Sequence, residues 1–270
     1  MAKNASPIAS PVQGSILGGP VGVIRAICEF VGECTILIAD AIKRLFRRPF
    51  EFGELISQMG FIGAASVPIV ALTTFSSGAV IALYTGEILV RYGASNLAGA
   101  TITLAICREI APVLAGIMVA ARCGSAMSAQ IGTMAVTEQI DALRSLNVHP
   151  TNFLVIPRLI ACMTMLPVLA LVGMYSGVFG GYLVSTALSG VTTGSFMQSI
   201  RTFTEPSDIT GGMIKTVVFG IVIAVIACQQ GMRTKDGAVG VGRSTTNTVV
   251  ITMVLIYVIN YFLTSMLYTS

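Results

Sequence analysis

The stretch LIACMTMLPVLALVGMYSGVFGGYLVSTAL, residues 159–188, contains no charged side chain. A hydrocarbon core about 30 Å thick is crossed by about 20 apolar residues in helical form, and this run exceeds that length. An isolated strand in lipid would leave its backbone N–H and C=O groups unpaired, so helix is the conformation that closes the hydrogen-bond ledger. Barrel strands are short and alternate polar with apolar residues; this run is long and continuous. Pro167, Gly173, Gly177, Gly180 and Gly181 lie within it. Both residue types are commoner in membrane helices than in soluble ones, and the cluster at 177–181 offers a smooth face for close helix contact.

Working outward, four more segments read the same way. With the first run they give spans of about 59–86, 97–121, 157–188, 212–231 and 246–268. Pro68 and Pro112 fall inside two of them. Over the 270 residues, 54% are hydrophobic and 10% are charged, and mean hydropathy is +0.84. Soluble domains carry about 25% charged residues, so most of this surface does not face water. The sequence therefore predicts an all-α integral membrane protein with five spans. The net charge of +4 is small and its distribution matters more. With the N-terminus inside, the inner side carries Lys3, Arg25, Lys43, Arg44, Arg47, Arg48, Arg122, Arg144, Arg158, Arg233, Lys235 and Arg243, and the outer side only Arg91, Arg201 and Lys215. Short cytoplasmic loops are the ones enriched in Lys and Arg. The expected location is the cell's inner (plasma) membrane, with a cytoplasmic N-terminus and an external C-terminus.

The chain divides into a flexible N-terminus (1–20), an amphipathic segment (21–50) and the span-bearing region (51–270). Residues 1–20 are rich in Pro, Gly and Ser and lack the compact apolar core of a secretory signal, so no cleavage is expected. Residues 21–48 mix Arg25, Glu29, Glu33, Asp40, Lys43 and Arg44 with an apolar stripe through Ile27, Phe30, Val31, Leu37, Ile38 and Leu45. That is the pattern of a helix lying in the membrane interface; a sixth span is the alternative. A further short helix is expected at the outer surface within 188–211, where Phe196, Met197 and Ile200 accompany Arg201, Phe203, Glu205 and Asp208.

Several chemistries find no support. Cys28, Cys34, Cys107, Cys123, Cys162 and Cys228 are scattered without a CxxC or Cys/His cluster, and His149 is the only histidine. They read as small apolar side chains in or near helices, not as a metal or disulfide framework. Residues 237–244, GAVGVGRS, approach the phosphate loop GxxxxGK[ST] but place Arg243 where that motif needs Lys. They follow a span and not a strand. A flexible turn capping the fifth helix through Ser244 or Thr245 is the reading adopted here. Arg108 and Glu109 interrupt the second span. Ionisable groups at membrane depth are costly and need partners. Adjacent helical residues point about 100° apart, so outside partners are expected, with Lys215 and Asn260 the candidates. The pair either locks the second span to its neighbours or serves a mechanism. In the loop 120–150, Thr137 is a candidate N-cap and Glu138 suits a positive helix end. Ile140, Leu143 and Leu146 form one apolar edge. Such a helix either docks on a soluble partner or merely connects two spans.

The segment CREIAPVLAGIMVAARCGSAMSAQIGTMAVTEQIDALRSLNVHP (107–150) resembles the signature of the MlaE/YrbE permeases, the partners of MCE proteins. The likeness continues through PRLIA (157–161), IKTVVFG (214–220) and VGVGRSTTNTVV (239–250). It implies the permease subunit of an ABC transporter for phospholipid or a related lipid, working as a homodimer with cytoplasmic ATPase subunits below and an MCE-domain protein on the outer face. It implies no enzyme activity and no cofactor on this chain, with ATP and Mg held by the partner ATPase, and no nucleic acid as partner. By this resemblance residues 133–147 form a coupling helix in which Glu138, Gln139, Asp141 and Arg144 meet the ATPase. The lipid cavity lies between two copies, mainly between the first and fifth spans, with Phe75, Leu83, Tyr257 and Tyr261 as candidate lining. Asn260 is a departure, because some relatives carry an acid there. Two other functions compete with this reading. A proton-driven secondary transporter would use Glu109, and a membrane-embedded lipid enzyme would use Arg108 and Glu109 as acid and base.

Overall fold

The computed structural model describes residues 19–45, 52–146 and 148–268. Those residues are helical with short turns, and no strand occurs among them. The helices among the described residues are, in order, α1 Gly19–Leu45, α2 Phe52–Ile62, α3 Val67–Arg91, α4 Ser95–Val136, α5 Gln139–Ser145, α6 Thr151–Ala187, α7 Thr193–Phe203, α8 Pro206–Met232 and α9 Gly237–Tyr268. Five stretches among the described residues are long and apolar enough to cross a membrane: α2–α3 together, α4, α6, α8 and α9. The chain is an all-α multi-pass membrane protein.

Every span is longer than its hydropathy alone predicts. α4 runs 42 residues, about 63 Å at 1.5 Å per residue, twice the hydrocarbon thickness. Its later turns, Ser125–Val136, exceed what the hydrocarbon thickness requires and lead to α5. The first span is instead broken. Between α2 and α3, Gly63 and a 3₁₀ turn at Ala64–Ser66 interrupt the α-helical ladder. The glycine-rich segment 237–242 is also not the flexible turn expected from sequence. It is the first two turns of α9, so Ser244 and Thr245 lie inside the helix and donate to the carbonyls of Val241 (2.9 Å) and Gly242 (2.7 Å) instead of capping it. The turn proper is made just before, by Asp236 and Gly237 at positive φ.

Packing follows the small residues. Val70, Thr74, Gly78, Ala82 and Gly86 form a buried i,i+4 row on α3 that lies on α6. A methyl group at Gly78 would strike the carbonyl of Gly177, and one at Gly180 the carbonyl of Phe75. In lipid, where apolar burial does not drive helices together, backbone contact of this kind supplies the dispersion energy that does. The Ser176 hydroxyl adds a bond to the Ala71 carbonyl at 2.8 Å. α9 uses the same device through Gly240, Ser244, Thr248, Thr252 and Ile256. Its remaining faces present Val250, Val254, Tyr257, Tyr261 and Phe262 to the exterior, whereas α8 is largely enclosed by its neighbours.

α1 packs on the core through Leu37, Ile38 and Ala41 and leaves Ile24, Ile27, Val31 and Ile36 exposed. Its Glu33 fastens it to the end of α8, accepting from Gln229 (2.8 Å) and pairing with Arg233 (3.0 Å). Residues 46–51, the end of the expected amphipathic segment, and 1–18 fall outside the described residues. A helix, α7, occupies the 188–211 segment, capped where Thr192 accepts from the Ser195 amide. Of the cysteines, Cys107, Cys123, Cys162 and Cys228 are buried in helices as free thiols, Cys34 is half-buried and Cys28 exposed.

Candidate functional site

Among the described residues π-helical turns interrupt the spans at Ile106–Ile110, Ala120–Gly124 and Thr151–Val155. Such turns free backbone carbonyls and often mark functional positions. The first holds Arg108 and Glu109 and is followed by Pro112. Proline has no N–H to offer the carbonyl four residues back, which here belongs to Arg108. Lys215 of α8 fills the gap: its Nζ donates to the Arg108 carbonyl at 2.8 Å, to Glu109 Oε1 at 2.7 Å and to Thr264 Oγ1 at 2.7 Å. All three ammonium protons are thereby used, and Lys215 is completely buried. The Thr264 hydroxyl in turn donates to Glu109 Oε1 at 2.8 Å, and Asn260 Nδ2 donates to Oε2 at 2.7 Å.

Arg108 points away from Glu109. It grips Asp208 at the start of α8, Nε and Nη2 lying 2.7 and 2.6 Å from Oδ1, and its guanidinium stacks 4.6 Å from the Tyr268 ring centre. Asp208 Oδ2 in turn accepts from the Glu205 amide in a reciprocal capping box. Two cations and two carboxylates therefore sum to zero charge. This is the arrangement that lets ionised groups persist at low dielectric.

Both expected partners, Lys215 and Asn260, thus converge on Glu109, with Asn260 bonded to the acid and not to the lysine. Sequence reasoning assigned Asp208 to a surface segment and did not single out Thr264 or Tyr268. A capping signal before α8 (Glu205-Pro-Ser-Asp208) was the one available clue to Asp208.

Glu109 and Asn260 also form the polar corner of a cavity of about 590 Å³. Ser76, Ser77, Val80 and Ile81 of α3 wall it, with Ile110, Val113 and Leu114 of α4 and Tyr257 of α9. Of the four expected lining residues, Tyr257 lies on this wall. Phe75 turns to Phe179 of α6, with ring centres 6.2 Å apart. Leu83 borders a separate hollow with Glu87, Arg91 and Leu188. Tyr261 is exposed, edge-on to Phe262.

At the other end of α4, the short helix is smaller than expected and starts differently. Residues 133–136 belong to α4, and α5 covers only Gln139–Ser145. Thr137 does not cap α5; its hydroxyl donates back to the Thr133 carbonyl at 2.8 Å, closing α4. The chain turns at Glu138, which adopts a left-handed φ of 59° with no side-chain cap. The N-cap position of α5 falls on Glu138, one residue later than expected. Ile140 is buried; Gln139, Asp141 and Arg144 are exposed, the last two paired at 3.0 Å. Leu146 and His149 are exposed as well.

Known proteins share this sequence pattern. The family described as Permease MlaE matches residues 55–266. A probable ABC transporter permease protein of Rickettsia bellii is 41% identical over 244 residues, covering 90% of this chain and 93% of that protein. One from Synechocystis is 39% identical over 213 residues, 79% and 81% of the two chains. A protein of Arabidopsis thaliana named TRIGALACTOSYLDIACYLGLYCEROL 1, chloroplastic, is 35% identical over 230 residues, 85% of this chain and 66% of that one.

Proposed function

The chain belongs to the MlaE permease family, and from that premise we propose that it is the membrane subunit through which an ABC transporter moves phospholipid or a related lipid. The observation that carries the proposal is the cavity between α3, α4 and α9. Its mainly apolar walls suit acyl chains, and Glu109 with Asn260, together with the Ser76 and Ser77 hydroxyls on the α3 wall, suits a headgroup. Binding sites of this kind combine apolar lining with a few placed polar groups. Lys215, Asn260 and Thr264 hold the Glu109 carboxylate in place at that corner.

The energy source is a separate ATPase. α5 is the surface it meets, which makes the α5 end of the bundle cytoplasmic and the α7 end external. Glu138, Gln139, Asp141 and Arg144 present the polar contact. α4 leads from the cavity corner through the Ala120–Gly124 π-helical turn to the start of α5, so a push on α5 reaches Glu109 along one helix. ATP binding then shifts the population of two conformations that differ in cavity access. The exposed apolar faces of α3 and α9 are too continuous to be casual, and a second copy of the chain covers part of them, so that two cavities meet. An MCE-domain protein receives or delivers lipid at the α7 end. The membrane is the cell's inner membrane.

Mass spectrometry of the complex purified with its ATPase tests this directly. Lipid retained by the native complex and lost with Val80→Trp, which fills the cavity, supports it. A complex that holds no lipid and moves none between vesicles on adding ATP would overturn it.

A further inference from the structure

The joint between α2 and α3 is held by a residue from a different span. α2 ends at Ile62, so the carbonyls of its last turn lack helical donors. The Gly63 amide returns to the Met59 carbonyl at 2.8 Å and the Ser66 amide to Gly63 at 2.9 Å. The Phe61 carbonyl is taken by Arg122 of α4, whose Nη1 lies 3.1 Å from it. The same nitrogen is 3.0 Å from the Ser66 hydroxyl, and the guanidinium lies 5.3 Å from the Phe61 ring centre. Ser66 Oγ also contacts Cys123 Sγ at 3.5 Å, and both residues are fully buried. Arg122 therefore grips the joint by its backbone, its hydroxyl and its aromatic ring at once. Among the described residues no carboxylate lies within ion-pair distance of it, so these neutral groups are its partners.

Its position explains why the grip matters. Arg122 sits in the second π-helical turn, Ala120–Gly124. Such a turn inserts one extra residue into the helix, and one residue rotates the following face by about 100°. Above this turn α4 carries Glu109, Ile110, Val113 and Leu114 of the cavity wall; below it α4 continues to α5. The joint it holds is the base of α3, which supplies the opposite wall through Ser76, Ser77, Val80 and Ile81.

We propose that Arg122 is a positioning residue that makes α3 travel with α4, so that displacement of α5 moves both cavity walls together. Without it α4 would slide past a joint that has lost its clamp, and ATP would be spent without lipid moving. This rests on the coupling role of α5 proposed above. Three contacts at one joint matter because coupling between distant sites needs an element with discrete arrangements that both sites bias, not mere adjacency.

The test uses the full complex with its ATPase in lipid nanodiscs or vesicles and reads lipid transferred per ATP hydrolysed. Arg122→Met removes the donors and keeps an unbranched apolar stem. It should assemble, hydrolyse ATP within about twofold of the unsubstituted complex, and lower lipid per ATP at least tenfold; Arg122→Lys, which retains one donor group, should recover part of that ratio. Ser66→Ala should lower it about two- to threefold, and the double substitution should fall no further than Arg122→Met alone. A merely structural residue would reduce assembly and both activities in proportion and leave the ratio unchanged. An unchanged ratio in Arg122→Met overturns the proposal. If that variant does not assemble, Ser66→Ala decides: a normal ratio overturns it, a lowered one supports it. The underlying transport reading fails differently, as an absence of ATP-driven transfer in the unsubstituted complex.

Discussion

Two ion pairs in this molecule have the same chemistry and opposite settings. Lys215–Glu109 lies inside the bundle, 2.7 Å apart, its lysine wholly buried. Asp141–Arg144 lies on α5, 3.0 Å apart, with both side chains more than half exposed. The first cannot be taken apart cheaply, because each group would be left at low dielectric with bonds unmade. The second is screened by water and holds nothing in place. Distance alone would rank them as near equals. The teaching is that the inner pair is architecture bordering a cavity, while the outer pair is a displayed surface whose worth depends on a partner.

Substitutions can break that contrast. The largest effect is expected for Lys215→Met, which leaves Glu109 with only the neutral donors Asn260 and Thr264 and leaves the Arg108 carbonyl without the donor that Pro112 cannot supply. Removing one member of a buried pair costs about 3–5 kcal/mol, and a thermal midpoint lower by many degrees in detergent should report it. An unchanged midpoint would mean the cluster is dispensable. Next comes Asp208→Asn, which keeps an acceptor for Arg108 but turns an amide toward the Glu205 N–H; an unmet buried group costs about 1–3 kcal/mol. Asn260→Leu is smaller, about 1 kcal/mol for one lost bond to Glu109, yet it alters the cavity corner, so the lipid bound should change in amount or class by mass spectrometry. The smallest stability effect belongs to Asp141→Ala, at most about 0.5 kcal/mol for an exposed pair. The same variant should nonetheless weaken ATPase co-purification severalfold. A large midpoint shift for Asp141→Ala, or an intact ATPase interaction, would erase the distinction.

How much of this was readable in the sequence follows from which forces act locally. The run 159–188 declares its span because hydropathy is a property of the segment itself. Helix extent is less legible. The expected second span stops at residue 121 because Arg122 and its neighbours are polar, but a helix leaving lipid has no reason to end where the lipid does, and α4 continues to Val136. Gly237–Gly242 misled for a related cause. Glycine reads as turn in water, whereas in this bundle Gly240 is the residue that fits against the Lys235 carbonyl at the base of α9. The site was half visible. Arg108 and Glu109 stand out as charges in an apolar run, and the need for partners named Lys215 and Asn260. Thr264 and Asp208 stayed hidden, since no periodicity links residues some 100 or 155 positions apart. The π-helical turn was equally hidden, since nothing in the local residue pattern distinguishes it from ordinary α-helix.

Glu138 carries a last implication. A side chain with a Cβ in the left-handed region is held at a cost of about 1 kcal/mol or more, and glycine would sit there unstrained. Selection for foldability alone would favour the smaller residue. Glu138→Gly would therefore relax the bend while erasing its carboxylate, whereas Glu138→Gln would keep the strain and lose only the charge. Comparing the two separates what the corner demands of its backbone from what the surroundings demand of its side chain.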